Sequence, residues 1–181
     1  MLRLDGKVAL VTGCGTVGEG WGNGKAIAVL LARQGASVYG CDLNEEAAHA
    51  TRKLIEAEGG VAQVQVCNVT RSAEVKALVD ACIARFGRID ILINNVGRSE
   101  PGDPVTMDED VWDEQMDVNL KSAFLACKHV LPVMERQGGA RWSTSRRSRG
   151  CATSAPDGAT AARSRCTLPK KAHASSPSTR T

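Results

Sequence analysis

A glycine-dense loop lies near the N-terminus of this 181-residue chain, between an apolar run and a helix-like run. Residues 12–24 read TGCGTVGEGWGNG, with six glycines, and the apolar sequence KAIAVLLA follows almost at once. Glycine removes the side chain where the backbone must bend sharply or approach another group closely. Where such a loop connects a strand to a helix, its bare amides and the helix N-terminus bind phosphate. The stretch therefore predicts a phosphate-binding loop that opens an α/β unit.

Short apolar runs alternate with amphipathic runs over the first 140 residues. The Val- and Ile-rich runs predict strands at 7–12, 37–42, 61–68 and 90–95. The amphipathic runs predict helices at 24–33, 45–58, 72–86 and 117–137. Strands that alternate with crossover helices form a parallel sheet covered on both faces. We therefore predict an α/β fold with a doubly wound parallel sheet, truncated after the fourth strand and the helix that follows it.

The last of these helices carries one apolar stripe. Its residues recur every three or four positions and are Leu120, Phe124, Cys127, Leu131 and Met134. Just before it, the acidic run MDEDVWDE at 107–114 predicts a helix start, where carboxylates suit the helix dipole.

The chain changes character near Gly139. Residues 1–140 carry 14 basic and 19 acidic residues, whereas residues 141–181 carry 9 basic residues against Asp157 alone. Residues 141–181 also have 14 Ser and Thr, no Val or Ile, and Leu168 as their one leucine. Such a composition cannot bury a core. We therefore divide the chain into an incomplete nucleotide-binding domain at 1–140 and a disordered basic tail at 141–181.

Asp42 indicates which dinucleotide the glycine-rich loop would bind. It ends the second predicted strand, 18 residues beyond Gly24. An acid at this position accepts hydrogen bonds from the ribose hydroxyls and repels a 2′-phosphate, so it favours NAD over NADP. The alternative is a mobile surface loop beside a solvated aspartate. The agreement of loop, helix and acid with the dinucleotide fingerprint disfavours that alternative.

Several ordered motifs resemble the short-chain dehydrogenase/reductase family. They are VTG at 11–13, GNGKAIA at 22–28, CDL at 41–43, CNV at 67–69, NNVG at 94–97 and VNLKSAF at 118–124. The resemblance implies a Rossmann-type fold and reversible hydride transfer between a nicotinamide and a carbonyl/alcohol pair. The chain departs from the family in the glycine loop, where eight residues rather than three separate Gly13 from Gly22.

The resemblance also implies roles for particular residues. Gly13, Gly22, Asn23 and Gly24 would line the pyrophosphate of the cofactor. Asp42 and Leu43 would face the adenosine ribose, Asn68 and Val69 would hold the adenine, and Asn95 would pack beside the cofactor. Asn119 corresponds to the family's catalytic helix asparagine, which helps to hold a proton-relay water. Taken singly, Asn95 could instead cap a strand end, and Asn119 could merely interrupt a helix.

The rest of the family's catalytic set is absent from the chain. The chemistry needs a tyrosine acid/base, a lysine that lowers its pKa, in the spacing YxxxK, and a serine that holds the substrate oxygen. The one tyrosine is Tyr39, inside a predicted strand, and no YxxxK occurs. We therefore expect weak NADH binding at most and no dehydrogenase activity. The alternative function is a non-catalytic dinucleotide-binding module with a genuine basic tail.

A shifted reading frame would explain the tail. If each codon takes the last base of one residue and the first two bases of the next, the region after Ala140 can encode Ala-Met-Val-Asn-Ile-Ser-Ser. In the same frame the codon that finishes on Thr160 can be tyrosine, and the codon that finishes on Ser164 can be lysine. This restores YxxxK, and it places a serine codon that finishes on Arg147 at the family's spacing before the tyrosine. We therefore interpret residues 141–181 as out of frame.

Other functional classes fit the sequence less well. A nucleic-acid binder could use SRRSR and PKK as phosphate contacts, but the tail lacks interleaved aromatics and the body is acidic. No apolar stretch nears the roughly 20 residues of a membrane span. The three histidines lie far apart and predict no metal site. Seven cysteines without a CxxC pair indicate reduced thiols and a cytoplasmic protein. We expect a small carbonyl or alcohol substrate and a possible homo-oligomer through the 117–137 helix.

Overall fold

A five-stranded parallel sheet forms the centre of the fold. The computed structural model describes residues 3–18 and 20–138, and the backbone of 141–144. The strands are β1 Val8–Thr12, β2 Ser37–Asp42, β3 Ala62–Val66, β4 Ile91–Asn94 and β5 Arg141–Thr144. Their order across the sheet is β3-β2-β1-β4-β5, and every neighbouring pair is parallel. The order reverses between β1 and β4, and ligands bind at such a switch point in open α/β sheets.

Crossover helices connect the strands. The helices are α1 Asn23–Arg33, α2 Glu45–Ala57, α3 Ser72–Phe86, α4 Glu109–Met116 and α5 Ser122–Arg136, with a π-helical turn at Asp117–Lys121. The acidic run does open a helix, because α4 begins at Glu109 and has Glu109 and Asp110 in its first turn. No helix in the described part of the chain is long and apolar enough to cross a bilayer.

Each face of the sheet packs against its own pair of helices. Along β1, Leu10 points into a core with α3 and α5, whereas Val11 points into a core with α1 and α2. This alternation follows from the two-residue period of a strand. Because both faces are covered, the strand is apolar at both positions. The predicted doubly wound α/β fold is confirmed.

The sheet has one strand more than the sequence predicted. Residues 141–144 pair with β4, with Ile91 opposite Arg141 and Asn94 opposite Thr144. The outer edge of β4 would otherwise present unpaired backbone groups, and backbone pairing there does not require an apolar sequence. Residues 141–144, which the sequence analysis assigned to the tail, are thus described as a strand. Residues 145–181, including the rest of that prediction, lie outside the described residues.

The predicted stripe on the last helix is only partly correct. Met134 is buried, and Cys127 and Leu131 pack against the core, but Leu120 and Phe124 are 66% and 61% exposed. The helix instead presents Ser122, Leu125, Ala126 and Val130 to the interior. Leu120 also lies in the π-helical turn, which shifts the phase of the helix before α5.

Candidate functional site

A cavity of about 270 Å³ lies at the carboxyl ends of the strands, beside the point where the strand order reverses. Its walls come from the glycine-rich loop, the ends of β2 and β3, and the segment after β4. The lining residues are Gly13, Gly15, Thr16, Val17, Gly18, Gly22, Asn23, Gly24, Cys41, Asp42, Leu43, Asn44, Cys67, Val69, Asn95, Val96 and Gly97. Four separate sequence segments therefore meet at one site.

Most of the site residues predicted from the sequence line this cavity. They are Gly13, Gly22, Asn23, Gly24, Asp42, Leu43, Val69 and Asn95. Two others, Asn68 and Asn119, do not belong to the lining residues, and each is held by neighbouring groups.

The close approach of Gly13 and Gly24 forms the floor of the loop. A Cβ on Gly24 would overlap the carbonyl oxygen of Gly13 and would lie 2.6 Å from Asn95 Nδ2. Asn95 Nδ2 donates to the Gly13 carbonyl (2.9 Å), and the Asn95 N–H donates to Thr12 Oγ1 (3.2 Å). Gly13 itself has φ +65°, which favours glycine. The backbone here requires glycine at both positions, and Asn95 holds β4 to the loop.

The first residues of the lengthened loop are anchored to β2 and α2. The Cys14 N–H donates to the Cys41 carbonyl (3.0 Å), and Thr51 Oγ1 donates to the Cys14 carbonyl (2.9 Å). The Gly15 N–H donates to Asp42 Oδ2 (2.9 Å). From this fixed base, Thr16, Val17 and Gly18 extend along the cavity. The additional residues thus lengthen the cavity wall while the base of the loop stays bound to the sheet.

Asp42 is oriented by backbone amides on both of its oxygens. Besides the Gly15 amide on Oδ2, the Asn44 N–H donates to Oδ1 (3.1 Å). Asn44 caps α2, with its Oδ1 accepting from the Ala47 N–H (3.0 Å). The carboxylate therefore sits between the glycine loop and the start of α2, and it lines the cavity at a fixed position.

Asn68 forms a turn instead of facing the cavity. Its Oδ1 accepts from both the Thr70 N–H (3.0 Å) and Thr70 Oγ1 (2.8 Å). The Asn68 N–H donates to Glu74 Oε2 (2.7 Å) at the start of α3. This is an Asx turn, in which the side chain is engaged with the backbone two residues ahead. As a result, the neighbours Cys67 and Val69 line the cavity at this end.

Asn119 lies in the π-helical turn and binds the segment after β4. Its Oδ1 accepts from the Arg98 N–H (3.0 Å), and its Nδ2 donates to the carbonyls of Arg98 (2.6 Å) and Gln115 (2.8 Å). In a π turn the backbone hydrogen bonds depart from the regular α-helical pattern. Such turns frequently occur at functional sites. In this arrangement Asn119 positions the chain that leaves the cavity at Gly97.

Tyr39, the chain's one tyrosine, is a core residue. It lies in β2, is 4% exposed, and donates from its hydroxyl to Gln65 Oε1 (2.8 Å). Burial raises the pKa of Tyr39, and the neighbouring Cys82 and Cys41 thiols raise it further. A buried, hydrogen-bonded phenol with a raised pKa is unsuited to act as an acid/base in the cavity.

The thiols that line or approach the cavity differ in acidity. Burial and the Asp42 charge raise the pKa of Cys14 to about 12. Hydrogen bonding to Cys67 and burial raise the pKa of Cys41. Among the described lining residues Asp42 is the one carboxylate, and none is a histidine, lysine or tyrosine. The described cavity can bind and orient a ligand, but it offers no acid/base pair.

The cavity fits a dinucleotide. The N-cap residue of α1 is Gly22, which has no side chain to cap the helix, and the first turn contains no acid. The amides of that turn have no intrahelical acceptors, so they could donate to an anion at the helix N-terminus. The glycine loop leaves room for close backbone approach, and Asp42 supplies the acceptor that ribose hydroxyls need.

Sequence reasoning missed several lining residues. Gly15, Thr16, Val17 and Gly18 lie in the extra length of the loop, where a family pattern gives no counterpart. Cys41 and Cys67 stand directly before the predicted Asp42 and Asn68. Their positions could have been predicted from the two-residue alternation of β2 and β3, because it places both cysteines on one face of the sheet.

Comparisons with known proteins identify related proteins. The family model described as short chain dehydrogenase matches residues 7–141. Among curated relatives, a D-threitol dehydrogenase of Mycolicibacterium smegmatis is 40% identical over 139 residues, which are 76% of this chain and 51% of that protein. A 7alpha-hydroxysteroid dehydrogenase of Escherichia coli is 39% identical over 138 residues, 76% of this chain and 52% of that protein. The chain thus spans about half the length of the curated relatives it matches.

Solved structures match the described fold as well. A 7 alpha-hydroxysteroid dehydrogenase complexed with NADH and 7-oxo glycochenodeoxycholic acid superimposes with a TM-score of 0.73 at 38% identity. The match covers 79% of this chain and 54% of that one.

Proposed function

The chain belongs to the short-chain dehydrogenase family, and from this membership we propose that it is the cofactor-binding half of an NAD-dependent oxidoreductase. The complete enzyme would transfer hydride between nicotinamide and the carbonyl/alcohol pair of a small molecule. The observation that carries the proposal is the paired arrangement at the cavity: Gly24 against Gly13, and Asp42 held by the Gly15 N–H. A phosphate cradle and a ribose acceptor at one cavity are the two parts of a dinucleotide site.

NAD is the preferred cofactor in this proposal. Asp42 carries a negative charge at the end of β2 and accepts from two backbone amides. A bound ribose would place its hydroxyls against these oxygens, whereas a 2′-phosphate would bring a second negative charge towards them. Leu43 is 67% exposed beside Asp42 and is available to cover the ribose.

The residues of this chain would bind and orient the cofactor. The first-turn amides of α1 and the backbone around Gly13 would hold the pyrophosphate, while Val69 would face the adenine. Asn95 keeps the loop and the end of β4 together, so the binding surface is formed before the ligand arrives. When bound, the nicotinamide supplies the hydride chemistry.

The chain itself would bind NADH weakly and catalyse no hydride transfer. The sequence offers no YxxxK pair, and its single tyrosine is Tyr39 in the core. Titration of the pure chain with NADH, followed by nicotinamide fluorescence, tests binding. Turnover tests with sugar alcohols and hydroxysteroids, including D-threitol, test activity. Saturable NADH binding without turnover supports the proposal. Sustained NADH formation from a pure preparation would contradict it.

A non-catalytic dinucleotide-binding module is the second candidate, and the missing YxxxK pair favours it. The two candidates predict different reading frames in the gene. Sequencing across the codons for Gln137 to Trp142 in an independent clone distinguishes them. One additional or missing base there would support a catalytic ancestor, and correcting it should restore turnover. An intact frame would support the non-catalytic binding module.

A second copy of the chain is the partner that we propose for the exposed apolar side chains of α4 and α5. Trp112, Leu120 and Phe124 are 55%, 66% and 61% exposed and recur at multiples of four residues. Leu120 and Phe124, four residues apart, are neighbours on the helix surface, and Trp112 lies on α4 before the π-helical turn. Size-exclusion chromatography with light scattering tests the homo-oligomer. The variant Phe124→Glu should shift a dimer to monomer, and Val105→Glu, at an exposed loop position, is the control.

We also propose a cytoplasmic location. The five described cysteines are free thiols, and free thiols persist in a reducing compartment. Fractionation of the source cells, with antibody detection, tests this location.

A further inference from the structure

Lys25 and Trp21 lie against each other where the glycine-rich loop enters α1. The loop returns to the helix here, because Thr16 occupies the space beside Gly22, with atoms 3.1–3.3 Å from the position of an added Cβ. The Lys25 ammonium lies 5.3 Å from the centre of the Trp21 ring. It also donates to the Gly20 carbonyl (3.5 Å). Trp21 is 59% exposed, so this contact lies at the surface of the molecule.

The position of Lys25 is unfavourable for a cation unless an anion binds nearby. Lys25 is in the first turn of α1, where the helix dipole presents its positive end. Within the described part of the chain, the contacts of its ammonium are the Trp21 ring and the Gly20 carbonyl, and neither is a carboxylate. Both are weaker than a charge-assisted hydrogen bond to a phosphate, because one is an exposed cation–π contact and the other is a long hydrogen bond. An anion within reach can therefore displace them.

The cavity is the place from which an anion would reach Lys25. Residues 22–24, which directly precede Lys25, all line the cavity, and Gly20, which contacts the ammonium, precedes them in the loop. Lys25 itself does not belong to the lining residues, so we place its ammonium at the rim. Among the described lining residues Asp42 is the one charged side chain. The cavity wall therefore has no cation of its own to balance the charge of a phosphate.

We propose that Lys25 binds a phosphate group of the dinucleotide, and that Trp21 holds its ammonium at the rim until that phosphate arrives. Backbone amides have fixed directions, whereas a lysine side chain is flexible and brings a full positive charge to the anion. The phosphate replaces the Trp21 ring and the Gly20 carbonyl as the partner of the ammonium. This inference rests on the proposed function where it names a dinucleotide, but the phosphate contact can be tested without one.

Titration of the full chain with ADP, pyrophosphate and NADH measures the contact, with calorimetry giving each dissociation constant. Lys25→Gln should weaken the binding of all three about tenfold, as expected for the loss of one charge-assisted hydrogen bond. Lys25→Arg keeps the charge and should retain the affinity. The matched control is Lys53→Gln, which removes the same charge at an exposed position of α2 and should change nothing. Equal ADP affinities in the parent and Lys25→Gln would refute the contact.

Salt dependence separates a phosphate contact from a purely structural role of Lys25. Added ions screen the attraction between an exposed ammonium and a phosphate. The ADP affinity of the parent should therefore fall more steeply with added sodium chloride than that of Lys25→Gln. If Lys25 merely covered the Trp21 ring, both chains would show the same salt dependence, and that result would overturn the proposal. Thermal unfolding of each variant establishes that it is folded.

Tryptophan emission tests the role of Trp21. Pyrophosphate is not fluorescent, so any change in emission on its addition comes from the protein. Departure of the ammonium from the indole ring should change the emission of the parent. Trp21→Phe keeps a ring face for Lys25 and should retain ADP affinity, but it should lose that change. Trp112→Phe, at a similarly exposed position of α4, should keep it. Unchanged parent emission at saturating pyrophosphate would refute the holding role of Trp21.

The phosphate contact and the proposed function fail separately. Binding of ADP and pyrophosphate that depends on Lys25, in a chain that binds no NADH, retains the contact and rejects the dinucleotide. NADH binding of equal affinity in the parent and Lys25→Gln retains the proposed function and rejects the role of Lys25. A parent chain that binds neither ADP nor pyrophosphate rejects the contact outright.

Discussion

Replacing Gly24 with alanine tests whether the backbone approach at the glycine loop is as close as the structure describes. Gly24 lies in the first turn of α1, where the backbone of the helix passes the Gly13 carbonyl. An added Cβ would overlap that carbonyl oxygen, lie 2.8 Å from its carbon, and lie 2.6 Å from Asn95 Nδ2. Two of these atoms belong to backbone, so rotation of a flexible side chain cannot relieve the overlap.

Opposing effects determine the size of the change. Alanine in a helix is about 1 kcal/mol more favourable than glycine. Overpacking costs about 1–3 kcal/mol. Displacing Asn95 also weakens its 2.9 Å bond to Gly13, at about 1 kcal/mol. The steric and hydrogen-bond costs outweigh the helix propensity, so we expect Gly24→Ala to lose about 2 kcal/mol of unfolding free energy. For a chain of this size that loss corresponds to about 4–8 °C in Tm.

Urea and thermal unfolding measure the stability, and NADH titration measures binding. Gly59→Ala is the matched control: Gly59 has φ +80° with open space around its Cβ position. Its substitution should cost about 1–2 kcal/mol through the left-handed backbone alone and should leave NADH affinity unchanged. Gly24→Ala should lose both stability and NADH affinity. A Gly24→Ala chain as stable as the parent, with the same NADH affinity, would refute the close approach.

Three further substitutions test the remaining interactions. Asp42→Asn keeps an acceptor for the Gly15 N–H but removes the charge, so NADH affinity should fall about tenfold, which corresponds to about 1.4 kcal/mol, while NADPH affinity rises; competitive titration measures both. Asn95→Ala should lower unfolding free energy by about 1 kcal/mol in urea, because the Gly13 carbonyl loses its donor. Burial raises the pKa of Asp90, yet hydrogen bonds from the neighbouring arginine, a backbone N–H and a lysine lower it overall. Its contribution to stability is therefore present above the unfolded-state pKa, about 4, and is lost as pH falls through the folded value; Asp90→Asn should flatten that acid limb in urea midpoints.

The sequence was sufficient to predict the α/β fold because the patterns that indicate strands and helices are both local. Alternating apolar and amphipathic runs predicted β1 to β4, and each observed strand lies within its predicted range. The glycine loop and Asp42 were recognisable because each stands at the end of a strand, and ends of parallel strands meet at one edge of a sheet. Periodicity along the chain thus determined which residues meet at the cavity.

Side-chain partners were less predictable, because they depend on contacts between distant segments. Asn68 accepts from Thr70 and Asn119 donates to Arg98, and their motifs predicted neither partner. The exposed position of Phe124 depends on how α5 rotates against the sheet, which periodicity along the chain does not determine. β5 was not predicted for another reason: it pairs through backbone groups, and its sequence has no pattern that indicates a strand.

The order of the segments along the chain separates the residues that line the cavity from the later sequence. The residues that line the cavity end at Gly97, and the changed composition begins near residue 140. Any alteration of the later sequence therefore leaves the glycine loop, Asp42 and Asn95 in place, provided that the sheet still folds. β5 covers the outer edge of β4 with backbone alone. The residues that line the cavity therefore do not depend on the identity of the later sequence, so family membership identifies the cofactor class more firmly than it identifies an active enzyme.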